Sequence, residues 1–374
     1  MKSAARVWTI NGDFVALKPT GVPRYAREVT LALDQLIGEG HPLAEGLALD
    51  LVAPREPDAL PLKNIAVRVV SEFRKPRLPQ FWVQLQLPRH VRGGLVSFCN
   101  LAPVLKRRHI ACIHDLHTWI HPESYGRGFR LAHKLILPLV GRRARHITTI
   151  SQLSRHHLIQ HGIAPADKIT VTYNGADHAM RWNAGKSGLE IGDRAFVLCI
   201  GQNQSYKNME LVWRIAPALD ALGLDVYMAG NISPEVLRSY GGEKPANLRL
   251  LGRIGDDDLA KAFGSALCFL FPSRIEGFGL PAVEAMTCGC PVIAADAPCL
   301  PEVCGEAALY AGPDDPAAWI AAISHLYGDS SSRQTMIERG RSRAARYRWS
   351  GVAEIYLRLM AEADGVALHQ SAMP

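Results

Sequence analysis

The sequence predicts an α/β protein built of two doubly wound domains, and three observations support this. At 374 residues the chain is longer than one hydrophobic core usually supports, so two domains are expected. Short apolar runs rich in Val, Ile and Leu alternate with segments of helical periodicity, which is the rhythm of parallel sheets with crossover helices. A polar, glycine-containing segment from His178 to Gly192 separates the two arrays and is the predicted linker.

Each half has its own series of elements. After an N-terminal strand, the first half is predicted to hold strands at Leu49–Ala53, Gly94–Phe98, Ile110–Ile113 and His146–Ile150, with helices at Tyr25–Ile37 and Leu153–Gln160. The second half is predicted to hold strands at Phe196–Ile200, Asp225–Ala229, Leu248–Leu251, Cys268–Phe271 and Pro291–Ala294, with helices at Met209–Leu222, Leu259–Ala266 and Pro281–Thr287. The predicted domains are residues 1–182 and 183–348. Residues 349–374 are expected to supply a helix near Val352–Glu362 that returns to the first domain, and then a tail.

Composition excludes several classes of protein. The chain is 48% hydrophobic and 21% charged, with no apolar run long enough to span a bilayer and no signal-peptide core at its start, so a cytoplasmic location is expected. The eight cysteines lie mostly in apolar runs and are expected to be buried free thiols. The spacing of Cys288 and Cys290 fits neither a zinc knuckle nor a redox pair, so no metal site is predicted there.

The net charge of +7 hides an asymmetry. Residues 1–182 carry 25 Lys and Arg against 13 Asp and Glu, whereas the remainder carries 17 against 22. A basic half suggests nucleic acid, an anionic membrane surface or phosphorylated ligands as partners. Nucleic acid ranks lowest, because the sequence has neither RNP-like aromatic strings nor zinc-finger spacing.

Two stretches of the first half carry candidate site residues. In PTGVPRY, residues 19–25, Gly21 would let backbone N–H groups approach an anion at a helix start, although an ordinary turn explains the same residues. In IHDLHTWIH, His114, His117 and His121 suggest a metal site, but His114 ends a strand and the three cannot share one helical face. A strand-end His114 is favoured as a hydrogen-bond donor to a substrate hydroxyl, and a structural role is favoured for the other two.

Three loops of the second half lie where strands end. Lys207 stands before a predicted helix and is able to balance a diphosphate, with a plain exposed lysine as the alternative. The loop at Arg253 and Ile254 is suited to a base or a sugar ring. In RIEGFGLPAVEAM the helix is predicted to start at Pro281, so Glu276 lies outside it and Glu284 falls in its first turn.

The ordered set of motifs resembles the family 4 retaining glycosyltransferases of the GT-B fold, also called glycosyltransferase group 1. The most specific motif is SRIEGFGLPAVEAMTCGCPVIA, in which seven residues separate two glutamates. It is supported in chain order by TGVPRYARE, IHDLHTWIHPE, TISQLSRHHLI, VTYNGAD, IGQNQSYKN, LRLLGRI and LPEVCGEAALY. The resemblance implies two Rossmann-like domains facing a central cleft.

The resemblance also implies roles for particular residues. Gly21 would lie against the donor diphosphate or the sugar, and Lys207 would bind the diphosphate. The base would be flanked by Arg253 and Ile254, and the ribose hydroxyls would be held by Glu284. The transferred sugar would be held by Glu276 and by the backbone amides of Phe278, Gly279 and Leu280. His114 would contact the sugar near the reacting centre, acceptor contacts would come from Arg24 and Tyr25, and no metal or other cofactor would be needed.

One departure from the family pattern affects donor binding. Where the family usually has Arg-Lys-Asn, this chain has Tyr206-Lys207-Asn208, so one bidentate phosphate contact is missing. Another arginine, Arg24 or Arg274, is a candidate to compensate. The expected chemistry breaks the sugar–phosphate bond while the acceptor hydroxyl attacks from the same face, so the protein supplies positioning and charge more than an acid–base pair.

Weaker sequence signals indicate the donor, the acceptor and a membrane surface as partner. The opening NGDFVALKPTGVPRYARE is most similar to bacterial polysaccharide mannosyltransferases, which favours GDP-mannose as donor and a lipid-linked or growing glycan as acceptor. Basic clusters at 106–108 and 142–145 flank an apolar stretch, Phe129–Val140, and predict docking on the anionic inner face of the plasma membrane. An ordinary core helix beside a solvated basic face is the alternative.

Three other functions stay open at this point. The same fold is able to use a UDP-sugar donor, or to bind sugar nucleotides without turnover. An NAD-dependent oxidoreductase is also doubly wound, but no G-x-G-x-x-G follows the first strand. The sequence does not set an oligomeric state.

Overall fold

The computed structural model describes residues 6–17, 20–71 and 80–366, and it divides into two compact units. The first unit contains the chain up to Gly175 together with the residues from Trp349 onward, and the second runs from Ala176 to Arg348. The border after Gly175 differs from the predicted one at 182/183, because residues 176–182 pack with the second unit.

The first unit is built on one parallel sheet, which has seven strands among the described residues. Its strands are β1 (Arg6–Asn11), β2 (Leu47–Ala53), β3 (Ala66–Val69), β4 (Gly94–Ser97), β5 (His109–Cys112), β6 (His146–Thr149) and β7 (Ile169–Val171). Their spatial order is β3-β2-β1-β4-β5-β6-β7, so the direction of winding reverses between β1 and β4. The helices interspersed with these strands are α1 (Gly21–Gly38), α2 (Leu87–His90), α3 (His117–Ile120), α4 (Arg127–Arg143) and α5 (Gln152–Gln160).

The second unit repeats this plan with six parallel strands in its described residues. These are β8 (Phe196–Gly201), β9 (Asp225–Gly230), β10 (Leu248–Gly252), β11 (Cys268–Phe271), β12 (Val292–Ala295) and β13 (Ala308–Ala311), in the order β10-β9-β8-β11-β12-β13. Its helices are α6 (Met209–Ala221), α7 (Pro234–Ser239), α8 (Asp256–Ser265), α9 (Leu280–Thr287), α10 (Leu300–Cys304), α11 (Pro316–Gly328) and α12 (Ser330–Ala344). The prediction of two doubly wound Rossmann-like domains is confirmed.

A last helix, α13 (Trp349–Ala363), belongs to the first unit and packs on α1. The Tyr356 hydroxyl is 2.9 Å from the Tyr25 hydroxyl. Just after the helix, Asp364 accepts hydrogen bonds from Trp8 Nε1 at 3.0 Å and from Arg6 Nε at 2.9 Å. These hydrogen bonds join the residue that follows α13 to strand β1.

The segment predicted as a linker is instead bound to the second unit. The Asn183 N–H donates to Asp257 Oδ1 at 2.7 Å, the Ser187 hydroxyl donates to Asp258 Oδ1 at 2.7 Å, and Lys261 Nζ donates to the Leu189 carbonyl at 2.7 Å. The polar composition that suggested a linker therefore reflects hydrogen bonding to α8.

Cysteine state and hydropathy complete the description of the fold. All eight cysteines are free thiols and seven of them are buried, as expected, while Cys288 is partly exposed. Among the described residues, no helix has both the length and the hydropathy that crossing a bilayer requires.

Candidate active site

In the second unit, Lys207 and Glu276 lie on loops that follow two adjacent strands. β8 and β11 are hydrogen-bonded neighbours, and the strand order reverses between them. The loop after β8 leads to Lys207, and the loop after β11 leads to Glu276. In open α/β sheets, ligands bind outside the carboxyl ends of strands at such a reversal.

Lys207 and Glu276 form an ion pair at this position. Lys207 Nζ is 2.7 Å from Glu276 Oε1, with side chains 15% and 10% exposed. Lys207 ends a short 3-10 turn, and the following Asn208 has the left-handed φ of +56° while its amide donates to the Pro313 carbonyl at 2.8 Å. Lys207 is predicted to bind the diphosphate and Glu276 the sugar, and the structure places the two side chains in contact.

The loop after Glu276 is held by Gly279 and Cys299. Gly279 caps α9 with a φ of +91°, a conformation that suits glycine. The Cys299 thiol donates to the Gly277 carbonyl at 3.2 Å, and the buried Phe278 ring packs edge-on against Tyr347 at 5.3 Å. The Phe278 side chain therefore anchors the loop from inside, and its predicted ligand contact is a backbone one.

The position of Glu284 needs a correction. Because Gly279 is the N-cap, α9 begins at Leu280 rather than at Pro281, and its first turn contains no acidic residue. Glu284 is the fifth residue of the helix and lies in its second turn. Interaction with the helix dipole is weak at this depth, so the dipole does not by itself account for a glutamate here.

Glu284 has a partner that the sequence did not indicate. His178 Nε2 is 2.8 Å from Glu284 Oε1, and the two side chains are 1% and 7% exposed. The His178 ring lies edge-on to Trp182, with ring centroids 5.4 Å apart. His178 was missed because it falls in the predicted linker, 106 residues before Glu284, and no local pattern marks it.

Arg274 lies beside the Tyr206–Asn208 turn. Its backbone N–H donates to the Tyr206 carbonyl at 2.8 Å, and its Nη2 donates to Asn208 Oδ1 at 3.2 Å. The guanidinium also forms a bidentate pair with Asp314, at 2.8 and 2.5 Å, and the hydrogen bonds from Arg274 lower the pKa of the Asp314 carboxyl. Arg24, the other candidate to replace the missing arginine, lies on α1 of the first unit.

Arg253 and Ile254 directly follow β10, the edge strand of the second sheet. Arg253 is exposed and Ile254 is half-buried. Their contact with a nucleotide base stays a prediction.

In the first unit, Gly21, Arg24 and Tyr25 all lie in the first turns of α1. Gly21 is exposed, and a Cβ added there would meet no described atom within 4 Å. Tyr25 is fully buried, and its hydroxyl lies 2.8 Å from Thr172 Oγ1 as well as near Tyr356. The buried hydroxyl network occupies the polar end of Tyr25. The proposed acceptor site therefore does not include this residue.

His114 follows β5 and is buried. Its Nε2 donates to the Phe98 carbonyl at 2.7 Å, and its ring lies edge-on to Tyr25 at 4.9 Å. Burial acts to lower the pKa of His114, but hydrogen-bonded Cys112, the Phe98 carbonyl and Asp115 raise it overall. The sugar contact predicted for His114 stays a prediction, and the structure gives the ring a fixed orientation.

The remaining histidines of this motif are placed differently. His117 is buried at the start of α3, 3.8 Å from Asp115, and His121 is partly exposed, 3.2 Å from Glu123. Among the described residues, no group of three or more His, Cys, Asp or Glu side chains is arranged to hold a metal ion.

Asp13, after β1, is a further ionisable group at the carboxyl edge of the first sheet. Burial raises the pKa of Asp13 to about 7, partly offset by hydrogen bonds from Cys99, the Phe14 backbone and Asn11. Desolvation disfavours the charged form of an acid. Asp13 is not among the site residues that the sequence predicts.

Comparison with protein-family models gives two adjoining matches. Residues 19–179 match the model described as Glycosyltransferase Family 4, and residues 180–343 match the model described as Glycosyl transferases group 1. Together they span nearly all of the described chain.

Two curated relatives and one solved structure extend the comparison. O-antigen chain mannosyltransferase B of Escherichia coli is 29% identical over 256 residues, covering 65% of this chain and 67% of that protein. O-antigen chain mannosyltransferase RfbU of Salmonella typhimurium is 24% identical over 289 residues, covering 75% and 78%. Anabaena HepE, solved in complex with UDP and glucose, superposes with a TM-score of 0.67 at 16% identity, covering 96% of this chain and 100% of that one.

Proposed function

Because this chain is a glycosyltransferase of the GT-B fold, we propose that it transfers mannose from GDP-mannose to a lipid-linked or growing glycan, with retention of configuration. The observation that carries the proposal is the ion pair of Lys207 and Glu276, which lie on the β8–α6 and β11–α9 connections. Glu284 lies on α9, the helix that follows the second of these connections. Two relatives named as O-antigen chain mannosyltransferases support the choice of sugar and of acceptor class.

The proposed reaction is a substitution at the anomeric carbon of the donor. The bond between that carbon and the β-phosphate oxygen breaks, and a bond to the acceptor oxygen forms on the same face. The acceptor proton passes to the leaving phosphate, which gives GDP and a glycoside. Charge develops on the departing diphosphate, so a preformed cation beside it lowers the barrier.

Lys207 supplies that cation in our proposal. Its Nζ lies 2.7 Å from Glu276 Oε1. A bound diphosphate would replace Glu276 as the partner of Lys207, and Glu276 would then accept hydrogen bonds from sugar hydroxyls. Arg274 lies on the neighbouring turn and would add a second cation, so no metal is required.

The first unit supplies the acceptor side of this proposal, with Arg24 and His114 as its candidate residues. His114 would present its ring near the transferred sugar, and Arg24 would contact the glycan or its phosphate. A UDP-sugar is the second candidate donor, since HepE was solved with UDP and glucose.

A donor and acceptor screen tests this function. Thermal shift would rank GDP-mannose, UDP-glucose and other sugar nucleotides. Transfer of labelled mannose to a lipid-diphosphate-linked glycan would follow, with and without EDTA, and proton NMR would read the anomeric configuration of the product. We expect stabilisation by GDP-mannose and EDTA-resistant transfer with retention. Turnover of UDP-sugars alone would reject the donor, and an inverted product would reject the mechanism.

We also propose that α4 docks this enzyme on an anionic membrane. The buried face of α4 carries His133, Leu137 and Val140. On its exposed side Leu131, Leu135 and Leu139 recur every four residues with 59%, 59% and 41% of their surfaces accessible. We call these three residues the α4 leucine row. Exposed leucines in a row are unusual for a surface helix and are suited to the headgroup boundary.

Basic side chains accompany the α4 leucine row. Arg127, Lys134, Arg142 and Arg143 of the same helix are exposed, and cations near anionic lipid contribute about 1 kcal/mol each. The predicted cluster at 106–108 is smaller than the sequence indicates, because Arg108 pairs with Asp364. Lys106 and Arg107 are its remaining members.

Vesicle sedimentation tests the docking proposal. The chain should sediment with vesicles containing phosphatidylglycerol at low salt, bind them less at high salt, and bind pure phosphatidylcholine weakly. The triple variant L131S/L135S/L139S should lose binding, whereas the control L222S/L250S, in exposed leucines of the second unit, should keep it. No sedimentation of the wild type at low salt, or equal binding by the triple variant, would reject membrane docking.

A further inference from the structure

His178 and Glu284 form an enclosed pair that the proposed reaction does not explain. The imidazole Nε2 lies 2.8 Å from Glu284 Oε1, and the pair joins α9 to the 3-10 turn Asp177–Arg181. Both side chains are nearly fully buried. An ionised carboxylate at such a depth is stable only when donors bind its oxygens.

The turn that carries His178 is held in place on both sides. The Ala176 N–H donates to the Tyr347 carbonyl at 2.9 Å, and the Ala179 N–H donates back to the Ala176 carbonyl at 3.0 Å. Trp182 packs edge-on against the imidazole, with the ring planes at 74°. The imidazole is therefore fixed before any ligand arrives, and it fixes Glu284 Oε1 in turn.

We propose that His178 is a positioning residue that aims Glu284 at the ribose, and that the pair sets how strongly this enzyme recognises the ribose hydroxyls. The inference rests on the proposed function, together with the ribose contact that the family resemblance implies for Glu284. A carboxylate already held by one donor keeps a single orientation, so a ribose hydroxyl meets it without an ordering cost. Without His178, the Glu284 side chain would turn to other donors.

The experiment compares nucleotides with and without ribose hydroxyls. The dissociation constants of GDP and 2′,3′-dideoxy-GDP would be measured by calorimetry, with UDP and 2′,3′-dideoxy-UDP in parallel to cover the other base. Hydrogen bonds to a charged group are worth about 1.5–3 kcal/mol, so the wild type should prefer the ribose form by about 10- to 100-fold. E284A should bring this ratio close to one.

The His178 variants then separate positioning from mere packing. H178F fills the space without a donor and should lower the ratio to near that of E284A. H178Q carries an amide donor that is able to reach Oε1 and should retain an intermediate ratio. H178N, whose amide is too short, repeats the test with a polar side chain if H178F folds poorly. As a matched control, H146F removes a half-buried histidine bonded to Thr170 at 2.8 Å in the first unit and should leave the ratio unchanged.

Three outcomes distinguish the ribose role of Glu284 from the positioning role of His178. A wild-type ratio near one, equal to that of E284A, would overturn both the ribose role of Glu284 and the role of His178. A wild-type preference that disappears in E284A but persists in folded H178F and H178N would overturn the positioning role alone. Loss of the preference in both variants, with partial rescue by H178Q, would support it.

Discussion

Lys207 and Glu276, 69 residues apart in the chain, neutralise each other at 2.7 Å on the loops of two adjacent strands. The two side chains are 15% and 10% exposed. Removing only one of them leaves the other charge largely desolvated and unpaired.

Substitutions of this pair should separate stability from catalysis. We expect K207M and E276Q each to lower the free energy of unfolding by about 1–3 kcal/mol, since each leaves a largely buried partner without its opposite charge. The double variant K207M/E276Q should recover part of that loss and yet show no transfer. Urea unfolding and initial rates with GDP-mannose measure the two effects. A double variant as unstable as the sum of the single ones would mean that the ion pair does not hold the loops.

Gly279 should resist substitution for a conformational reason. Its φ is +91°, and a Cβ there would meet Leu300 Cδ2 at 2.9 Å and Phe271 Cε1 at 3.1 Å. We expect G279A to cost about 1–3 kcal/mol in unfolding free energy and to weaken nucleotide binding. Gly264, in α8, is the control because a Cβ there meets nothing described within 4 Å, and G264A should stabilise the protein by about 0.5–1 kcal/mol. Equal effects of the two substitutions would contradict this explanation.

Asp13 should make stability depend on pH. Burial raises its pKa from 3.8 to about 7, so between these values the folded protein keeps a proton that the unfolded chain has released. Stability must then fall as the pH rises from about 4 to 7 and level off above it. At about 1.4 kcal/mol per pKa unit, the loss is on the order of a few kcal/mol.

The variant D13N removes this titration. Denaturant unfolding of wild type and D13N from pH 4 to 8 should give a difference that grows in favour of D13N up to pH 7. The exposed Asp58 provides a control, and D58N should follow the wild-type curve. A constant difference between wild type and D13N over this range would show that Asp13 ionises normally.

Arg274 and Arg24 are rival replacements for the arginine that Tyr206 displaces. Arg274 borders the Tyr206–Asn208 turn and is bound by Asp314, whose side chain is 76% exposed. Such an exposed pair is easily exchanged for a phosphate partner. We therefore expect R274Q to raise the dissociation constant of GDP by about tenfold or more, while D314N leaves it unchanged or lowers it. A normal constant in R274Q together with weak binding in R24Q would assign the role to Arg24.

The sequence predicted the elements better than the contacts between them. The strand Cys268–Phe271 was located to the residue, because four apolar residues end at a proline. β3 (Ala66–Val69) was missed because an edge strand half open to solvent lacks an apolar run, and α11 and α12 were not predicted at all. Short β7 and β13 also escaped notice.

In the candidate site, too, the sequence predicted single residues better than the contacts between them. Sequence motifs located the three residues one by one. Lys207 and Glu276 follow recognisable strands, and Glu284 lies near the start of a recognisable helix. The His178–Glu284 contact joins residues 106 positions apart, and no periodicity reports such a pairing. Tyr25 was assigned to the acceptor from its neighbours in sequence, although its burial depends on Tyr356, 331 residues away.

The return of α13 to the first sheet affects how the chain acquires its structure during synthesis. Arg6 and Trp8 on β1 donate hydrogen bonds to Asp364. This aspartate leaves the ribosome more than 350 residues after them. The second unit is continuous in sequence and is able to fold while the first remains incomplete, so the usual order of domain folding from the N-terminus would be reversed. A nascent chain that still lacks α13 would expose the side of α1 on which this helix packs.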